Sequence, residues 1–259
     1  MDSTTLLVTI SAALFGLIAG SFVNVVAHRV PQDRSVVRPG SACPHCDHPI
    51  RPRDNIPVVS WVLLRGKCRD CAAPISARYP IVEALTAVLF ASVPLSLGLV
   101  WVIPAYLWYL GVTMALNLTD LDHKRIPNRI LFPGIAVGAV LLGTGALLDG
   151  AMGSFGRGVA GAAVYFVVLL VVALVARGGF GFGDVKLAFL LGMFSAYLGW
   201  GHLAVAGVGA FLVGGVLALV LLLTGRRGRK DAIPFGPSMI LAAWIALWFG
   251  DQIVEWWLR

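Results

Sequence analysis

Residues 81–118 read IVEALTAVLFASVPLSLGLVWVIPAYLWYLGVTMALNL and contain one charged side chain, Glu83. A helix needs about 20 mostly apolar residues to cross a bilayer, so a single helix over this stretch would be roughly twice too long. We therefore expect two membrane helices, 81–100 and 101–118, joined by a hairpin turn near Ser96, Leu97 and Gly98. This stretch indicates a helical membrane protein.

The composition of the whole chain agrees with that interpretation. The 259 residues are 58% apolar and 13% charged, with a mean hydropathy of +0.86, whereas soluble domains are about 45–50% apolar and about 25% charged. A compact soluble fold and a disordered chain are excluded, because neither accommodates so much apolar surface. The 30 glycines show no period of three, which excludes collagen. Long unbroken apolar runs exclude an outer-membrane barrel.

Further apolar runs bring the predicted number of transmembrane helices to about eight, in an all-α polytopic membrane protein. The first span, 6–27, follows no basic segment and is too long for a cleaved signal peptide. The spans after residue 118 are predicted at 132–148, at 159–176, at a short and glycine-broken 187–198, at 202–223 and at 234–253, with a turn over 199–202.

Lys and Arg residues predict the orientation of these spans. With the N-terminus outside and eight alternating spans, 18 of the 20 Lys and Arg residues lie on the cytoplasmic side. The chain then divides into a first membrane helix (1–27), a cytoplasmic loop domain (28–80) and a membrane domain (81–259). The basic loop domain is expected to contact anionic membrane lipids. Nucleic acid is not an expected partner, because basic and aromatic residues do not interleave there.

Four acidic residues lie where predicted spans meet the cytoplasmic face: Glu83, Asp120, Asp122 and Asp184. Burying a carboxylate at a membrane boundary is costly, so each is a functional candidate. Two spans separate Asp120 from Asp184, which places both at the same face. A carboxylate pair sharing one proton can activate water and protonate a carbonyl, as in aspartic proteases. For Asp122 and Glu83, ordinary placement at a helix end is the alternative explanation.

All four cysteines lie in the loop domain as two CxxC pairs, Cys43 with Cys46 and Cys68 with Cys71. Paired CxxC turns at this spacing predict a structural zinc site with four thiolate ligands. A cytoplasmic location disfavours a structural disulfide. His45 and His48 are alternative ligands, and a redox pair or an empty site are alternative interpretations. We expect a metal ion to stabilise the loop domain, because its core is small.

Several stretches resemble one known family. The glycine-dense stretch 178–184, GGFGFGD, by itself indicates either a flexible turn or space for a substrate backbone. Together, however, DLDHKRIPN (120–128) and GFGDVK (181–186) are similar to the two catalytic motifs of type IV prepilin peptidases, which are GxGD membrane aspartyl proteases. The resemblance implies that Asp120 and Asp184 are catalytic and that Asp122 is not. It extends to GSFVNVV (20–26), RGKC (65–68), ISARYPIVE (75–83) and PFGP (234–237).

The resemblance implies a bifunctional enzyme of the bacterial cytoplasmic (inner) membrane. Members with the cysteine-bearing loop remove a basic leader from type IV prepilins or type II secretion pseudopilins. They then methylate the new N-terminal amine with S-adenosylmethionine. We assign no residue to the methyl donor, because the sequence contains no Rossmann-type glycine motif. The alternatives are a peptidase without methyltransferase activity, a presenilin-like GxGD protease, a proton-coupled transporter and a zinc-binding scaffold.

Overall fold

The computed structural model describes residues 2–176, 181–224 and 234–259, in which helices predominate and no strand occurs. One short helix, α2 (Val59–Leu63), lies in the loop domain. The eight long helices are α1 (Ser3–Arg29), α3 (Arg78–Leu97), α4 (Ile103–His123), α5 (Asn128–Leu148), α6 (Met152–Val175), α7 (Phe182–Leu198), α8 (Trp200–Leu223) and α9 (Gly236–Leu258). Positions 178–180 of the predicted glycine-dense stretch, and the basic residues at 177, 226, 227, 229 and 230, lie outside the described residues.

The all-α polytopic membrane class is confirmed, with a small difference in the number of spans. By length and composition, six helices in the described part of the chain can cross a membrane, compared with the predicted total of about eight. The other two are α7, which has only 17 residues, and α4, whose last turns contain Asn117, Thr119 and two aspartates. These two helices contain the candidate site residues Asp184 and Asp120. The helices that differ from a typical membrane span in length or composition are therefore the ones that hold the candidate site.

The predicted hairpin in 81–118 is confirmed. Helix α3 ends at Leu97, Gly98 follows with a φ of +74°, and α4 begins at Ile103. The Trp101 N–H donates to the carboxylate of Asp149 at 3.0 Å, which ties this turn to the end of α5. The predicted turn over 199–202 is shorter in the structure, because only Gly199 separates α7 from α8.

The prediction of a glycine-broken helix over 187–198 is wrong, because α7 runs through Gly192 without interruption. Gly192 instead lets α6 approach closely. A Cβ atom there would lie 2.6 Å from the carbonyl oxygen of Gly161 in α6. Such small-residue contacts are the usual way in which membrane helices pack. The side chain of Arg157 joins the same two helices by donating to the carbonyls of Ala196 and Tyr197 at the end of α7.

Helix α4 lies at the centre of the bundle and packs against α1, α3, α5 and α9. The Tyr109 ring stacks on Phe194 of α7 with ring centroids 4.5 Å apart. The Trp244 Nε1–H of α9 donates to Thr113 Oγ1 at 3.1 Å. Residues 112–116 of α4 are buried. Neighbours on several sides therefore fix the axis of α4, which ends one turn after Asp120.

Gly192→Ala is expected to destabilise the protein. The added methyl group would meet backbone rather than a movable side chain, and overpacking of this kind costs about 1–3 kcal/mol. Thermal unfolding in detergent, followed by circular dichroism, should show a lower midpoint. Gly215→Ala in α8 is the matched control, because a Cβ atom there meets nothing within 4 Å. Equal midpoints for the two variants would contradict the proposed packing role of Gly192.

Candidate active site and cysteine lobe

The two candidate aspartates lie at the same end of the bundle, where α4 ends and where α7 and α9 begin; we call this the aspartate end. Asp120 is in the last turn of α4 and Asp184 is in the first turn of α7. Their exposed fractions are only 5% and 9%, respectively. Both carboxylates are therefore held largely away from water at the boundary of an apolar bundle.

Ile126, in the loop after α4, brings the three helix ends together. A Cβ atom at Gly183 would lie 3.3 Å from Ile126 Cβ, and one at Gly236 would lie 3.4 Å from Ile126 Cδ1. Gly183 precedes Asp184, and Gly236 begins α9. The Ile126 side chain thus packs between the starts of α7 and α9 while its own backbone continues from α4.

Gly236 allows α9 to begin directly against Asp120. A Cβ atom at position 236 would lie 2.5 Å from Asp120 Oδ2, so a side chain there would displace the carboxylate. The Gly236 N–H is directed at the same carboxylate. Within the described part of the chain, Asp120 Oδ2 is nevertheless buried without a hydrogen-bond partner in good geometry. This oxygen remains available to a water molecule or a substrate.

The two carboxylates interact electrostatically. The negative charge of Asp120 acts on Asp184, and burial desolvates both groups. Two carboxylates that repel each other in a poorly solvated site do not both ionise readily, so one of them is favoured in its protonated form. The arrangement can therefore supply one proton acceptor and one proton donor at the same end of the bundle.

The other two acidic candidates have specific partners in the structure. Asp122 accepts two hydrogen bonds from Arg78, at 2.8 and 2.5 Å. Glu83 lies in the second turn of α3, is buried, and accepts the Val58 N–H at 2.6 Å. Glu83 therefore ties the loop domain to α3. Neither partner was predicted from the sequence, although Arg78 is a charged residue that closely precedes the apolar run 81–118.

The four cysteines of the loop domain lie together. One ligand atom from each of Cys43, Cys46, Cys68 and Cys71 lies within 4.8 Å of all the others. The Sγ atoms of Cys43 and Cys71 are 3.8 Å apart. A tetrahedron with metal–sulfur bonds of about 2.3 Å, the usual zinc value, has edges of about 3.8 Å. The cluster can therefore bind a metal ion, and we call its segment, 41–75, the cysteine lobe.

The two CxxC turns of the cysteine lobe have similar backbone geometry. The Cys43 N–H donates to the His48 carbonyl at 3.0 Å, and the Cys68 N–H donates to the Ala73 carbonyl at 2.8 Å. The residue after each second cysteine, Asp47 or Ala72, has a positive φ.

These turns direct backbone N–H groups at sulfur. Donation from His45, and then from Cys46, lowers the pKa of the Cys43 thiol to about 6, whereas burial and the neighbouring thiols raise the pKa of Cys46. The first thiolate of the cluster therefore forms most readily at Cys43, and the thiolate is the form that metals bind.

The cysteine lobe is expected to bind one metal ion per chain through its cysteines. Cys71→Ser should lower the metal content of the purified protein, because a hydroxyl is a poor substitute for a thiolate. Elemental mass spectrometry of the full chain measures this directly. His45→Ala is the matched control, since the ligand cluster in the described residues consists of cysteines alone. Loss of metal in the histidine variant, but not in the cysteine variant, would contradict this ligand set.

Two family models match the chain. Residues 14–97 match the Bacterial Peptidase A24 N-terminal domain, and residues 105–223 match the Type IV leader peptidase family. Together the two models identify the class of protein: a bacterial peptidase that has an N-terminal domain before its leader peptidase domain. No solved structure gives a significant match.

Proteins named prepilin leader peptidase/N-methyltransferase are similar over nearly the whole chain. The relative from Aeromonas hydrophila is 39% identical, over 95% of this chain and 92% of the relative. The Stutzerimonas stutzeri relative is 35% identical, over 100% of this chain and 96% of the relative. The Bacillus subtilis relative is 32% identical, over 95% of this chain and 96% of the relative. The chain belongs to the type IV leader peptidase family.

Proposed function

We propose that this protein is a prepilin leader peptidase that also N-methylates the product of cleavage. The observation that carries the peptidase proposal is the buried pair of Asp120 and Asp184 around Ile126 at the aspartate end. The names of its relatives supply both activities, and membership of the family makes prepilins the expected substrates. Type II secretion pseudopilins are further proposed substrates.

In the proposed reaction, the aspartates cleave the peptide bond between the leader and the mature N-terminus. The ionised carboxylate accepts a proton from water as the water oxygen attacks the carbonyl carbon. The protonated carboxyl group donates its proton to the carbonyl oxygen, which gives a neutral tetrahedral intermediate. When the carbon–nitrogen bond breaks, the leaving amine receives a proton from one aspartic acid. A hydroxyl proton of the intermediate returns to the carboxylate pair, so the pair is regenerated.

The location of the aspartates sets how a substrate must approach. A prepilin carries a basic leader followed by an apolar helix, so we propose that this helix enters sideways from the bilayer beside α4 and α7. The peptide bond then reaches the aspartate end while the leader stays in water. The proposed orientation has the N-terminus outside and the cysteine lobe in the cytoplasm, in agreement with the distribution of Lys and Arg.

We propose that the metal of the cysteine lobe is structural zinc. Four sulfur ligands complete a tetrahedral shell, which leaves no open position for catalysis. A second cofactor is proposed from the N-methyltransferase name of the relatives, which implies use of S-adenosylmethionine. That cofactor would supply an electrophilic methyl group to the new amine. No residue of this chain is assigned to that cofactor.

Asp120→Asn and Asp184→Asn should each abolish leader removal while the protein still inserts into membranes. An amide side chain neither accepts the water proton as a base nor shares a proton with its partner, so the cleavage rate should fall by at least about a thousandfold. Purified variants incubated with a prepilin, with products resolved by gel electrophoresis, provide the measurement. Wild-type cleavage by either variant would exclude the proposed carboxylate pair.

Methylation is tested by weighing the products. Wild-type protein incubated with a prepilin and S-adenosylmethionine should release a mature pilin that is heavier by one methyl group at its N-terminal residue. Without the methyl donor, the same pilin should appear unmodified. An unmodified product in both incubations would identify a peptidase without methyltransferase activity. Because cleavage is scored in the same mass spectrum, the two activities are judged separately.

A further inference from the structure

The end of α4 carries more negative charge than catalysis by Asp120 requires. Asp122 lies two residues after Asp120 in the same last turn. The carboxyl end of a helix also carries a partial negative charge from its unpaired carbonyl groups. A second carboxylate at this place is therefore unfavourable unless a cation compensates it, and the structure supplies that cation from a different helix.

Arg78, the first residue of α3, forms a two-pronged ion pair with Asp122. Its Nη1–H donates to Oδ1 at 2.8 Å and its Nη2–H donates to Oδ2 at 2.5 Å. Paired hydrogen bonds from a planar guanidinium fix the direction as well as the distance of a carboxylate. The pair joins residues that are 44 positions apart in the sequence. It therefore anchors the end of α4 to the start of α3.

The backbone around Arg78 is itself held from two sides. On one side, the last residue of the cysteine lobe is fixed within the lobe, because the Ile75 N–H donates to the Gly66 carbonyl at 2.7 Å and Trp61 Nε1–H donates to the Ile75 carbonyl at 3.0 Å. Towards α1, the side-chain amide of Asn24 donates to the Tyr79 carbonyl at 3.4 Å. Arg78 is thus presented from a fixed framework rather than from a free helix end.

Asp120 needs such an anchor because helix ends fray. After Asp120 the helix continues only to His123, and Lys124 then takes a left-handed conformation. The Lys124 N–H donates a hydrogen bond to the Asp120 carbonyl at 2.8 Å. Terminal turns are the least stable parts of a helix. Catalysis by a carboxylate is sensitive to displacements of about 1 Å. An ion pair two residues beyond Asp120 limits such displacement.

We propose, on the basis of the proposed peptidase function, that Arg78 is a positioning residue that acts through Asp122 to hold Asp120 in its catalytic geometry. In this role Arg78 makes no contact with the reacting atoms. Its removal should therefore lower kcat and leave KM within about twofold, since the apolar helix of the substrate binds elsewhere. The expected loss in kcat is about ten- to a hundredfold, the effect of a small misplacement of a catalytic group.

The test is a double-mutant cycle of Arg78→Ala, Asp122→Asn and the two combined, assayed for prepilin cleavage by purified full-length protein. If Arg78 acts through Asp122, both single variants should lose kcat, and the double variant should be no slower than the slower single variant. Arg78→Lys should recover part of the loss, because an ammonium keeps the charge without the two-pronged geometry. Losses that multiply in the double variant would overturn the proposal.

Arg129→Ala is the matched control. Arg129 also forms an ion pair at this end, with Asp33 at 2.6 Å, and the side chains of that pair are 70% and 80% exposed, compared with 41% and 32% for Arg78 and Asp122. Water screens the more exposed pair more strongly, so the loss of Arg129 should leave kcat unchanged. Metal content and the thermal midpoint are measured for every variant. If the Arg78 variants lose kcat only together with metal or thermal stability, the role is merely structural and the proposal fails. A raised KM with intact kcat would assign Arg78 to substrate binding and would also overturn it.

Asp120→Asn in the same assay separates this proposal from the proposed function. If Asp120→Asn is inactive and Arg78→Ala retains the wild-type kcat, only the positioning role is wrong. If Asp120→Asn cleaves prepilin at the wild-type rate, the carboxylate pair itself is wrong, and the role proposed for Arg78 fails with it.

Discussion

The packing of Ile126 between the starts of α7 and α9 is the contact on which the aspartate end depends. Helix α4 ends one turn after Asp120, and the loop that follows carries Ile126 against Gly183 and Gly236. Because Gly183 adjoins Asp184 and Gly236 adjoins the Asp120 carboxylate, one apolar side chain sets the spacing of two acidic residues that are far apart in the sequence. Neither glycine position tolerates a larger residue without moving a neighbour.

Much of this architecture follows from the sequence, because hydrocarbon imposes strict rules on a chain. The need for about 20 apolar residues per span predicts the hairpin at Gly98 and the order of the long helices. The number of spans between Asp120 and Asp184 predicts that both lie at the same membrane face. Ligand spacing alone predicts the grouping of the four cysteines. These predictions use the length of apolar runs, the number of spans and the spacing of ligands, all of which can be counted along the sequence without knowing which distant segments touch.

Other features depend on contacts between distant segments and could not be predicted in this way. Gly192 suggested a broken helix because a lone glycine weakens a helix, yet here it serves the close contact between α6 and α7. The partners of Asp122 and Glu83 are Arg78 and the Val58 backbone, and no spacing rule connects either pair. Side-chain pairing across a bundle depends on helix rotation, which hydropathy leaves undetermined. The loop domain is therefore joined to the membrane domain by contacts that only the structure reveals.

The joint action of Asp120 and Asp184 on one peptide bond is the step on which the proposed function depends. It is tested most directly by the structure of the protein with a prepilin peptide whose scissile bond is replaced by a hydroxyl-bearing isostere that mimics the tetrahedral intermediate. Both carboxyl groups should lie within hydrogen-bond distance of that hydroxyl group. A bound isostere whose hydroxyl contacts only one aspartate, or neither, would contradict it.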